Sequence, residues 1–366
     1  MFVFVCARCE AELTTPLSQV CLPAHARQSY GNGIQLPVLM EAGTFAVDPE
    51  PWGPPWRLWD EIDPREAEAR GIYAPVPTLS DGVPGAVAIA PGDARGTGLI
   101  PGRNDGGCCG LDGRDGPNTA CEVCALPVAT RIDDCSLWQA LWFTPTAVHR
   151  LRVGSADAVA PLSWRELTEN GKITPPLEPI ATWGGRLGTS HFWSWSPQWE
   201  AAAGRALAHL VAASEGQPVQ VPDGLTAEVF QRALDTLLPT GPTPRRAVLA
   251  GPGLPAGGAD ILLVPVHPET GRTWAPDGPA RSVPLVPLPL GVWLSLALHP
   301  PGLPHPASGG IPADVLRDEP LPPHPGLFRA DRRAFQRTLA RLPAARNPWL
   351  CEALENVPHS ALTGLF

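Results

Sequence analysis

Four of the nine cysteines in this 366-residue chain fall in two CxxC pairs, Cys6-Ala-Arg-Cys9 and Cys121-Glu-Val-Cys124. Cysteine thiolates are soft donors, and two of them three positions apart on a tight turn can point at one ion, so the two pairs together supply the four ligands of a tetrahedral zinc site. A set made only of sulfur is closed. Catalytic zinc keeps a position open to water and usually takes His or carboxylate ligands, so this pattern predicts a structural metal and names no reaction. A redox CxxC of the thioredoxin kind opens a helix after a strand, and neither pair is placed that way.

The remaining cysteines are Cys21, Cys108, Cys109, Cys135 and Cys351. Cys21-Leu-Pro-Ala-His25 sets a Cys and a His four apart, so a second partition of ligands competes with the first. In it Cys6, Cys9, Cys21 and His25 hold one ion, and Cys109, Cys121, Cys124 and Cys135 hold another. Vicinal Cys108 and Cys109 point apart and are poor joint ligands. Cys351, with Leu350, Ala353 and Leu354, reads as a small core residue of a helix.

Asp112, Asp115, Asp133 and Asp134 lie close in sequence to Cys108, Cys109 and Cys135. Acids and thiols at this density suit a divalent ion or a thiol nucleophile. The plainer account is turn chemistry, since Asp-Gly pairs fit tight turns and Asp134 is placed to cap a short helix over Ser136–Leu141. A second constellation is Trp183, His191, Phe192, Trp193, Trp195 and Trp199. It reads as a ligand-stacking surface or as an aromatic core holding a hydrogen-bonded histidine. An enzymatic reading places His191 or Cys135 in a pocket between the two halves of the chain, with Asp133 or Asp134 as acid/base. No GxxxxGK[ST], HExxH or GxSxG motif is present, and Gly251-Pro-Gly253 leads to Pro255 and another strand, so it is a loop and not a dinucleotide fingerprint.

The elements that must position these groups change character along the chain. Residues 1–150 hold eight of the nine cysteines and many Gly turns, which predicts a loop-rich β half. Phe2–Val5 forms a strand into Cys6, and Leu126–Ala129 leads away from Cys124. In residues 151–366 the clearest helix has Ser196 as N-cap, Pro197 at its first position and Gly216 just past its end, with Trp199, Ala203, Leu207, Leu210 and Val211 on one face. A second helix, capped by Thr226, carries Val229, Leu234, Leu237 and Leu238. Ala247–Ala250 and Ile261–Val266 read as strands, Gly291–Leu298 as a buried strand after a proline-rich approach, and 331–342 and 347–357 as helices. The fold class is α+β: a zinc-ribbon-like, loop-rich β N-terminal half with a mixed α/β C-terminal half packed against it.

The sequence has 44% hydrophobic and 17% charged residues, with 47 Pro, 37 Gly and 13 Trp, a globular composition with long aromatic-packed connections. A formal charge of −9, with Arg245-Arg246 and Arg332-Arg333 as the only adjacent basic pairs, argues against generic nucleic-acid binding. Met1–Val5 is too short and uncharged for a signal peptide, and Val283–Leu298 is too short and proline-broken for a membrane span. The expectation is a cytoplasmic protein with no membrane partner. Lys172 is the sole lysine, as in high-GC bacteria. The stretch Gly106-Gly-Cys-Cys-Gly-Leu-Asp-Gly-Arg-Asp-Gly-Pro-Asn118, the second CxxC and Arg131-Ile-Asp-Asp-Cys-Ser-Leu-Trp-Gln139 resemble a family of uncharacterised cysteine-rich proteins of high-GC actinomycetes. That resemblance implies a bacterial origin and transfers no activity. The residues support first a zinc-stabilised binding or scaffold protein whose partner is another protein or a second copy of itself. The enzyme above and a self-assembling homo-oligomer are the alternatives.

Overall fold

Alternating Phe and Val favour a pleated strand, and the chain opens with one, β1 (Phe2–Cys6), which runs directly into the first cysteine. In this computed structural model residues 1–30, 33–51, 53–103, 107, 109–154, 160–184, 188–298, 326–350 and 365–366 are described, with 183–184 and 188–192 described by backbone only. The chain divides into two units. The first is Met1–Ser163 with His267–Arg272 and Ala340–Pro343, and the second is Trp164–Val266 with Thr273–Leu339 and Ala344–Phe366. The expected boundary at 150 falls inside a strand, Val148–Arg152, that pairs antiparallel with β1.

The first unit is built on a seven-stranded sheet. Its members in chain order are β2 (Ser18–Gln19), β3 (Thr44–Val47), β4 (Val87–Ile89), β5 (Thr97–Leu99), β6 (Thr119–Cys121), β7 (Pro127–Ile132) and β8 (Ala140–Phe143), and their spatial order is β2-β3-β4-β8-β7-β6-β5. Side chains alternate between its faces. Phe45, Val87, Ile89, Leu141 and Phe143 join Phe4, Leu13 and Leu17 in one cluster. Ala46, Ala88, Ala140 and Trp142 join Leu36, Leu39, Met40 and Trp138 in the other. Phe4 meets Phe45 edge-on at 5.0 Å and stacks on Phe143 at 5.9 Å, so truncating it to Ala would cost about 3–5 kcal/mol. Ser136–Leu141 is not the expected helix, because Ala140–Phe143 is a central strand buried on both faces and so shows no alternation in sequence.

The second unit is mixed α and β. An antiparallel hairpin of β9 (Leu177–Gly184) and β10 (Gly188–Trp195) precedes helix α1 (Pro197–Ser214). α1 starts as the sequence predicts, with Ser196 Oγ accepting the Gln198 N–H, and its Trp199, Ala203, Leu207, Leu210 and Val211 are all buried. It ends through Glu215 in the left-handed region. β11 (Val219–Gln220), α2 (Leu225–Leu237), β12 (Arg245–Leu249), β13 (Ile261–Val266), β14 (Leu285–Pro289) and α3 (Leu290–Ala297) follow. Strands β11 to β14 form one parallel sheet in sequential order, and with the helices between them this unit is mixed α/β. The cap of α2 is Gly224, not Thr226, which is buried in the first turn.

The expected strand over Gly291–Leu298 is helix α3, and the strand is the proline-rich approach itself. β14 lies at the sheet edge, where Pro287 and Pro289 remove no ladder donor that an inner neighbour would need. Helix α4 (Arg332–Ala340) begins one residue later than expected, with Asp331 Oδ1 accepting the Ala334 N–H. The expected 347–357 helix falls mostly outside the described residues, as does Cys351.

Candidate metal centre

Both CxxC pairs sit at hairpin tips of the same construction. After β1 the Cys6 N–H donates to Ala11 O at 2.9 Å, the Glu10 N–H donates to Cys6 O at 2.9 Å, and Glu10 is left-handed with φ 60°. Between β6 and β7 the Cys121 N–H donates to Leu126 O at 2.9 Å, the Ala125 N–H donates to Cys121 O at 2.8 Å, and Ala125 has φ 57°. In each turn the residue after the second cysteine thus takes a conformation that costs a non-glycine residue about 1–2 kcal/mol, and both turns carry it. The first tip returns as an antiparallel arm, with bridges Val5–Glu12 and Phe2–Leu17. Thr14 Oγ1 braces this hairpin by accepting the Phe4 N–H at 3.0 Å.

The two tips face one another. Cys6 Sγ lies 3.5 Å from Cys124 Sγ and Cys9 Sγ 3.6 Å from Cys121 Sγ, and all four sulfurs fall within 4.8 Å of each other. These separations exclude a disulfide, whose sulfurs stand about 2.0 Å apart. A tetrahedral ion with metal–sulfur bonds of about 2.3 Å sets its sulfurs about 3.7–3.8 Å apart, so the donor set fits such an ion. The four thiols could therefore hold a metal ion. Cys6 and Cys121 are buried in the Phe4–Phe45–Phe143 core, while Cys9 and Cys124 are half-buried at its margin. The centre thus belongs to the core on one side and meets the surface on the other. A metal held here would join residues more than a hundred positions apart, closing a loop long enough for a cross-link to remove about 4–5 kcal/mol of chain entropy.

Backbone N–H groups favour charge on Cys6. Burial works against the Cys6 thiolate, but hydrogen bonds from the Arg8 and Cys9 N–H groups and from the Cys124 side chain outweigh it and bring the thiol down to about 7. At Cys9 the Ala11 N–H favours the thiolate, while burial and hydrogen bonds shared with Cys124, Cys121 and Cys6 push the thiol up to about 12. Without an ion, Cys6 gives up its proton before its coupled neighbour Cys9 does. Arg8, between the first two cysteines, reaches across to Cys124 O with Nη1 at 3.3 Å and places a cation beside the sulfurs. Arg8, Thr14, Glu10 and Ala125 were not picked out from the sequence. Their only signal is position, inside or just after a CxxC.

The competing partition does not assemble. Cys21 is apart from Cys6 and Cys9, its Sγ donating to His267 O at 3.7 Å, and burial raises its thiol. His25 is buried against Trp138, with ring centroids 4.2 Å apart, and burial lowers its pKa to about 3, so it is a core histidine held neutral. Cys109 and Cys135 meet each other and Asp134, and are not grouped with Cys121 and Cys124. Cys108 lies outside the described residues.

Around Asp112 the acidic stretch is turn chemistry. Asp112 Oδ1 accepts the Arg114 N–H, and Gly113 and Gly116 have positive φ. Asp133 pairs with Arg131 at 3.1 Å. Asp134 caps no helix and instead accepts the Cys109 N–H at 2.9 Å. In the aromatic constellation, Trp195 is buried, donates to Gly326 O and meets Phe328 edge-on at 4.9 Å, and buried Trp199 donates to Thr174 O. These two are core. Trp193 is 42% exposed. His191 lies on β10 opposite Ala181, and its side chain, with those of Trp183 and Phe192, is outside the described residues.

No helix among the described residues is long and apolar enough to cross a membrane. Comparison of the chain with protein-family models, with curated proteins and with solved structures found no match.

Proposed function

We propose that this chain is a zinc-stabilised cytoplasmic binding or scaffold protein that acts through a protein-interaction surface. The observation that carries the reading is the convergence of four thiols, and no other donor type, on one point between two hairpin tips. Four thiolates saturate a tetrahedral Zn²⁺, leaving no position for a reacting group, and Cys6, Cys9, Cys121 and Cys124 would be its ligands. The geometry is zinc-ribbon-like in that two knuckles face each other across the ion.

The interaction surface we infer lies beside the second knuckle. Val123, at its tip, is 72% exposed, and Leu99 is 48% exposed on β5, the terminal strand of the seven-stranded sheet. Leu99 lines a largely apolar cleft of about 370 Å³ with Ile100, Pro101, Ala120, Ala125 and Pro127, and Arg103 and Glu122 border it. A terminal strand beside an apolar cleft suits an extended segment of another protein, which adds backbone hydrogen bonds along the strand and side chains into the cleft. The metal would fix the knuckle that walls it.

Two measurements on the full chain test this. Elemental analysis should give one zinc per chain, lost on dialysis against a strong chelator together with a fall in melting temperature. A chain that binds no zinc, or that melts unchanged without it, overturns the structural-metal reading. Photo-cross-linking groups at positions 99 and 123 should capture a defined partner that Leu99→Asp and Val123→Asp abolish while zinc content stays at one. Equal capture from a control group at exposed Ile173 overturns the surface.

A further inference from the structure

A pair of cysteines outside the zinc centre is arranged for a different chemistry. Leu111 and Asp133 exchange both backbone hydrogen bonds, at 3.0 and 2.8 Å, in an antiparallel bridge. Continuing that register outward by two residues sets Cys109 opposite Cys135. Cross-strand partners of this kind have Cα atoms about 5.5 Å apart, inside the range a disulfide spans. Their Sγ atoms are 3.3 Å apart. Asp134 Oδ1 accepts the Cys109 N–H at 2.9 Å and ties the two segments together. The close approach is also enforced by glycine, because a Cβ on Gly110 would lie 2.1 Å from Asp133 O. Exposure divides the pair, with Cys109 at the surface and Cys135 buried.

We propose that Cys109 and Cys135 are an oxidative modification site, in which Cys109 attacks low-molecular-weight disulfides and Cys135 resolves the adduct. In the first step the Cys109 thiolate attacks one sulfur of a small disulfide, forming a mixed disulfide and expelling one small thiolate. In the second, the Cys135 thiolate attacks Cys109 Sγ, forming the intrachain bond and expelling the other. The cysteine pair loses two electrons and two protons, and the small disulfide becomes two thiols. The exposed cysteine takes the reagent and the buried one attacks its neighbour, the usual division between a sensing and a resolving cysteine. The four sulfurs of the zinc centre are protected from the same reagent when the ion occupies them.

The test uses the zinc-loaded full chain and glutathione disulfide, read by mass spectrometry of intact protein and of peptides. The expected product is two mass units lighter, carries a 109–135 cross-link, retains its zinc and is restored by excess reduced glutathione. Cys135→Ser should accumulate one glutathione adduct on Cys109, and Cys109→Ser should give neither product. Cys108→Ser should leave the cross-link in place. Gly110→Ala, which leaves both thiols present, should cut the cross-linked fraction severalfold relative to the adduct. A cross-link through Cys108, an adduct on Cys109 that persists with Cys135 intact, or a second zinc per chain lost in Cys109→Ser would each overturn the assignment.

Discussion

Individual residues carry the metal centre, and they do not carry it equally. Cys6 and Cys121, proposed as ligands, are also members of the Phe4–Phe45–Phe143 core, whereas Cys9 and Cys124 stand at its margin. Serine at any of the four should remove the zinc. Cys6→Ser and Cys121→Ser should also cost more stability than Cys9→Ser and Cys124→Ser, with all four in the range of about 4 kcal/mol or more that accompanies loss of a structural metal. Zinc content and denaturant midpoints check the ranking. The left-handed residues run the other way. Ala125→Gly relieves a conformation that Ala resists, and should raise stability by up to about 1 kcal/mol, a gain read as a higher midpoint with zinc unchanged. The grouping of the four cysteines was legible in the sequence because CxxC spacing is itself a geometric statement. Cys21 and His25 were ambiguous because a Cys and a His four apart on a loop specify no geometry, and it is burial against Trp138 that gives His25 a different occupation.

Elements were legible where a polar face or a cap gave them a period. Helix α1 announces both ends, by Ser196-Pro197 and by Gly216, and was read to within two residues. Helix α3 is apolar nearly all round, with Leu290, Val292, Trp293, Leu294, Ser295 and Leu296 buried, so no stripe marks it as helical. Central strand β8 hides its period in the same way, and edge strand β14 hides behind Pro287 and Pro289. Packing can also reverse the ordinary effect of a substitution. Gly204 sits within α1, where Ala normally stabilises by about 1 kcal/mol. Here a Cβ would lie 2.3 Å from Asp331 O, where the segment leading into α4 crosses the helix. Gly204→Ala should therefore lower the melting temperature, and Ser196→Ala should lower it through the lost cap, worth about 1 kcal/mol.

At the scale of the whole molecule, buried neutral histidine sets a limit on acid stability. His25 is held down to about 3 by burial, and His209 to about 4 by burial and the nearby Arg205 charge. Unfolding frees each to take a proton near pH 6.5, so between about 6.5 and the folded value the unfolded chain binds more protons and stability falls as pH falls. Above 6.5 neither contributes. His25 alone supplies a slope approaching about 1.4 kcal/mol per pH unit in that window. His25→Gln, which cannot titrate, should flatten the decline of the urea midpoint from pH 6.5 to 4, and an unchanged slope would refute the role of His25. The facing hairpin tips have a further consequence in time. Their sulfurs come from positions 112 and 118 residues apart, so a ribosome adding about 5–20 residues per second exposes the first knuckle on the order of ten seconds before its counterpart exists. During synthesis Cys6 and Cys9 are half a site, able to hold an ion only weakly or to lose it to another acceptor. A fully ligated ion is thus a record of progress: it can be acquired only by a chain made past Cys124.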